Sequence, residues 1–207
     1  MHIDKTLPML LPLALLVGAP GCDSSDDSSD DAAGETGDGD GDPYDGAFDQ
    51  CTREVMEEDM TVIDDMGNPG PVRWYGPGAD PETGELLDDG ETEFHVSVTY
   101  LALRPENIET FMGLIPGVNQ ALFSNPGLVA VQLADSQQCA TARTLTVWTD
   151  EAAMYEFVGS QAHVDAIVAF PEISRGQSTL ANFGGVKASD ITWERALAEL
   201  KAAEAYD

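Results

Sequence analysis

Few side chains in this sequence could do chemistry. It has 3 histidines and 3 cysteines among 207 residues. His2 belongs to the extreme N-terminus, so His95 and His163 are the candidate proton carriers. A neutral imidazole titrates near working pH, and a stretch of helical periodicity places His163 where it could act as a base on a phenolic substrate. The same side chain could equally serve as a hydrogen-bonding group between helix and sheet. Asp150-Glu151 resembles a carboxylate pair, but a helix start at Thr149 or Asp150 already explains both acids. No HExxH, Cys/His cluster, GxSxG, GxGxxG or P-loop pattern occurs. Zinc and serine hydrolases and the common nucleotide-binding classes therefore lack their parts. No metal and no cofactor is expected. Asp38, Asp40 and Asp42 mimic the start of an EF-hand loop. Pro43 stands where the turn glycine belongs, however, and Asp49 where the bidentate Glu belongs, so this is read as solvated linker.

The cysteines divide by context. An apolar run from Leu7 to Val17 follows a weakly positive start and leads through small residues to Cys22, the pattern of a secretory signal. The run is too short to span a membrane. Ala19-Pro20-Gly21-Cys22 resembles a bacterial lipoprotein signal, which implies lipid attachment at Cys22 and a place in the cell envelope. A soluble secreted protein is the alternative. In an exported chain the remaining Cys51 and Cys139 are expected to pair, the alternative being two buried free thiols.

Charge bounds the partners. Residues 1–90 carry 23 acidic and 3 basic side chains, a balance of -20, within a chain of net charge -29. Such an excess repels phosphate backbones and anionic membranes, so nucleic acid is excluded and a membrane could hold the chain only through a lipid anchor. Residues 1–21 are read as signal, 22–43 as an acidic disordered tether, 44–90 as an irregular extension packed on the main domain, and 91–207 as that domain. Within the extension, Phe48, Cys51 and Val55 share a helical face, predicting a helix over 48–60. Gly/Pro turn signals follow it.

The elements that must position His163 begin at Glu93. Phe94, Val96, Val98 and Tyr100 alternate with His95, Ser97 and Thr99, predicting a half-buried strand. Pro105 opens a helix with Ile108, Phe111, Met112 and Ile115 on one face, expected to break or kink at Pro116-Gly117. Leu128 to Leu133 and Cys139 to Trp148 read as a hairpin closed over Asp135–Gln138. A second amphipathic helix follows, interrupted at Gly159-Ser160. Ser178 to Val186 reads as the last strand, and Asp190 or Thr192 caps a C-terminal helix bearing Trp193, Leu197 and Leu200. The order β-α-β-β-α-β defines an α+β, ferredoxin-like domain. Its second sheet face needs a cover, and a partner's sheet is the usual one.

Leu145-Thr146-Val147-Trp148-Thr149-Asp150-Glu151-Ala152, followed by Phe157-Val158-Gly159-Ser160-Gln161-Ala162-His163, resembles the antibiotic biosynthesis monooxygenase family of dimeric α/β-barrel proteins. Asn125-Pro126-Gly127-Leu128 is similar to that family's junction into its second strand. The resemblance covers roughly residues 91–200. It implies a homodimer whose sheets form a barrel, and a pocket between sheet and helices lined by Tyr100, Trp148 and Phe157 beside a catalytic His163. A small apolar or aromatic ligand would occupy it. Haem-degrading relatives use an Asn on the first strand and a Trp and a His on the second long helix. This chain has no Asn between Phe94 and Leu103, and Phe157 and Ile167 stand at the other two places. The expected function is an exported small-molecule-binding or interaction domain. The alternative is a cofactor-independent monooxygenase acting on an aromatic or quinol-like substrate. On strand alternation, His95 is expected to face the dimer barrel.

Overall fold

The computed structural model describes Phe48, Cys51, and residues 73–136 and 139–206. The expected signal, Cys22, the acidic tether and most of the helix expected over 48–60 lie outside the described residues.

Strand β1 is Glu93–Ala102, helix α1 Ile108–Ser124, β2 Leu128–Ser136 and β3 Thr141–Trp148. Helices α2, Glu151–Val158, and α3, Gln161–Ile173, lead to β4, Ser178–Lys187. Helix α4, Trp193–Ala202, and the short β5, Ala205–Tyr206, complete the chain. The sheet runs β2-β3-β1-β4-β5, every pair antiparallel. Its first four strands with their helices make the expected ferredoxin-like α+β arrangement. The caps are local and chemical. The side chains of Asp150, Ser160 and Thr192 accept backbone N–H groups of Ala153, His163 and Arg195, starting α2, α3 and α4. Gly159-Ser160 is the expected interruption between α2 and α3.

Two expectations about elements need correction. Helix α1 runs on through Pro116 and Gly117 to Ser124. No break separates the helix at these two exposed residues, whose place outside the core leaves room for the proline ring. Strand β2 extends to Ser136, into the predicted turn, because the β2–β3 ladder continues to Ser136 opposite Thr141.

The strand register sorts the core. Cross-strand partners share a face, so Val96 and Val98 lie with Val147 and Leu145. That face is covered from within the chain. Trp193, Ala196, Leu197 and Leu200 of α4 pack on it at i, i+3, i+4 and i+7, together with Trp74 and Ala79 of the extension. Burying each large apolar side chain there contributes about 1.5–3 kcal/mol. A partner sheet is expected over this face; within the chain, the C-terminal helix and the extension pack there. On the opposite face, Leu128, Val131 and Trp148 meet Leu122 of α1 and Met154 of α2. His95 pairs with Trp148 and so belongs to this helix-covered face, not to a barrel interior. Alternation groups residues by face but does not say which face the helices take.

The extension closes one sheet edge. Tyr75 bridges Val131 of β2, exchanging bonds of 2.9 and 2.7 Å, and Gly78 N donates to the Val129 carbonyl at 2.7 Å. Gly76, at φ +132°, sits so close that a Cβ would lie 2.8 Å from the Val129 carbonyl oxygen, so glycine suits this approach. At the other end of β3, Cys51 is disulfide-bonded to Cys139 across 88 residues. Beside it, Arg175 donates to the carbonyls of Leu103, Ala140 and Cys139, and its guanidinium lies 4.1 Å from the Phe48 ring centroid.

Candidate functional site

The sequence-chosen residues part company in the fold. Trp148 closes β3, Phe157 ends α2 and His163 opens α3, and the three meet as a stack. Trp148 and Phe157 have centroids 5.4 Å apart, and Phe157 and His163 meet edge to face at 4.9 Å. Gly159-Ser160 makes this possible. The Ser160 cap holds His163 N at 3.3 Å and turns the ring back toward Phe157. Trp148 Nε1 donates to Thr146 Oγ1 at 3.0 Å, and that hydroxyl donates to the Ser97 carbonyl at 3.1 Å.

Trp148 is 1% exposed, so its ring is a packing element rather than an open wall. Tyr100, also 1% exposed, lies on the other side of the sheet, paired across strands with Arg143, whose guanidinium carbon is 5.1 Å from its ring centroid. The pocket expected from His163 with Tyr100 does not assemble, because position 100 shares parity with Val96 and Val98 on the α4-covered face. Phe157 and His163 are the half-buried members. Burial holds the His163 imidazole below its ordinary range, opposed by a bond to the Val158 backbone. Among the described residues, its Nδ1 is buried with no hydrogen-bond partner, as is His95 Nε2. A neutral histidine with an open nitrogen can accept a proton or a hydrogen bond, but no second polar group of the expected set stands beside it.

An opening of about 350 Å3 lies elsewhere, between the extension, β2 and the turn after β4. Trp74, Leu86, Gln132 and Ala188 line it, with Glu85 and Asp88 among its polar walls. None of these residues is singled out by the sequence reading. The one legible signal is Gln132, a polar side chain at an inward position of the otherwise apolar run from Leu128 to Leu133. Among the described residues, no group of three or more His, Cys, Asp or Glu could hold a metal. No described helix is long and apolar enough to cross a membrane.

The fold defines an α+β ferredoxin-like domain carrying a half-buried imidazole and, separately, a ligand-sized opening. No family model and no curated protein matches the chain. Solved structures resemble part of the chain. An antibiotic biosynthesis monooxygenase is 16% identical with a TM-score of 0.41, over 44% of this chain and 98% of its own. A protein of Mycobacterium tuberculosis is 12% identical with a TM-score of 0.42, over 45% and 96%. A conserved protein of Methanosarcina mazei is 15% identical with a TM-score of 0.40, over 44% and 91%. These are likenesses in the path of the chain.

Proposed function

We propose that this chain is an exported, tethered α+β domain that binds a small molecule without turning it over, held at a bacterial cell envelope through Cys22. The observation that carries the reading is the placement of Tyr100 and His163 on opposite sides of the sheet. The polar groups a monooxygenase-like site would bring together are kept apart by the core, while a ligand-sized opening lies among side chains suited to recognition. Export is supported by the signal pattern of the first 22 residues and by the Cys51–Cys139 bond, a feature that persists in oxidising compartments. A homodimer would have to use a surface other than the sheet face that α4 fills.

The test is a thermal-shift screen of the purified chain with phenols, quinols, haem and small amines, beside His163→Ala. The proposal expects saturable stabilisation by at least one compound, retained in the variant. Failure of every compound would refute small-molecule binding. Stabilisation by a phenol or quinol that disappears in His163→Ala would instead favour the monooxygenase reading.

A further inference from the structure

We infer that the opening beside Trp74 is a binding site for a small organic cation, an amine or quaternary ammonium with a short apolar body. This deepens the small-molecule reading above by naming the place and the ligand chemistry. The opening, about 350 Å3, is within the range of ligand pockets, which start near 300 Å3. Its floor is the Gln132 side chain, 5% exposed, and no hydrogen bond within the described residues engages its amide. An amide that faces an opening without a protein partner is suited to a polar ligand group.

The walls give the sign of the charge. Glu85 and Asp88 are both lining residues, and among the described residues no lining residue is basic. Neither nearby cation is hydrogen-bonded to these two carboxylates among the described residues. Arg73, which lies over Gly84, donates to the Pro81 and Glu82 carbonyls, and Lys187 donates to the Gly90 carbonyl. Asp88 Oδ1 accepts the Gly90 N–H at 2.7 Å, which orients the carboxylate without neutralising it. Trp74 and Leu86 supply the apolar surface, and an indole is the preferred aromatic partner of an ammonium. Two unneutralised carboxylates, one indole and one free amide select a cation that also carries a hydrogen-bonding group. The site exists because the extension packs on the sheet: Trp74, Gly84, Glu85, Leu86 and Asp88 come from it, and Gln132 from β2.

The test is calorimetric titration of the full chain with choline, with putrescine, and with 3,3-dimethylbutan-1-ol, the neutral counterpart of choline. It is repeated in Glu85→Gln/Asp88→Asn, whose amides keep the shape and the Gly90 contact, and in Gln132→Leu. Saturable binding of a cation is expected, weakened at least tenfold in the double variant, with no binding of the neutral alcohol. Cation binding unchanged by the double variant, equal binding of the alcohol, or no cation binding would overturn the inference. A double variant that melts below the parent is read against Glu85→Gln alone, since Glu85 is exposed and its side chain makes no hydrogen bond among the described residues. If the cations fail while the screen above finds another ligand, the binding reading stands and this site falls.

Discussion

His163 packs edge-on against Phe157, ring centroids 4.9 Å apart with planes at 68°. Burial in that contact disfavours the imidazolium, so the folded-state pKa lies below the ordinary value of 6.5. The unfolded chain therefore binds the proton first as pH falls. The stabilising contribution of neutral His163 is complete above about pH 6.5 and diminishes below it. Urea midpoints between pH 5 and 7.5 should fall more steeply on acidification in the parent than in His163→Gln. Parallel profiles would contradict this.

The clamp at the far end of β3 should be separable from the site. Closing a loop as long as that from Cys51 to Cys139 is worth on the order of 4 kcal/mol. Denaturant unfolding with and without reductant should show a loss of that size. Arg175→Ala removes three carbonyl contacts and should cost about 2–4 kcal/mol. Neither change should alter ligand binding, because Trp148 and the opening beside Trp74 do not share residues with the clamp.

The covering of the sheet by α4 makes a third prediction. Leu200 is fully buried against the face of Val96 and Val98, and Leu200→Ala should destabilise by about 2–5 kcal/mol. Val168 on α3 is 75% exposed, and Val168→Ala should change stability by less than about 0.5 kcal/mol. Chemical denaturation measures both. A near-neutral Leu200→Ala would mean that another surface covers this face.

Much of this fold is legible in the sequence because local patterns carry it. The alternation from Phe94 to Tyr100, the helix start at Thr149 or Asp150, the interruption at Gly159-Ser160, and the Trp193, Leu197, Leu200 stripe each predict a feature that the structure contains. What the pattern does not carry is which face belongs to which cover. His95 and Tyr100 differ by an odd number of positions, so they lie on opposite faces, but only the docking of α4 and of Trp74 decides which face is which. The opening beside Trp74 was not legible either, since it joins residues 74–88 to Gln132 and Ala188 through tertiary packing. Pro116-Gly117 reads as a break or kink, and the structure carries one helix through it to Ser124.

The central claim, binding without turnover, is tested most directly by oxygen uptake. The purified chain is given each phenol or quinol under saturating conditions in an oxygen electrode, with His163→Ala alongside. The account predicts uptake no faster than in buffer alone for both proteins. Saturable uptake by the parent that vanishes in His163→Ala would contradict it and make His163 a catalytic base.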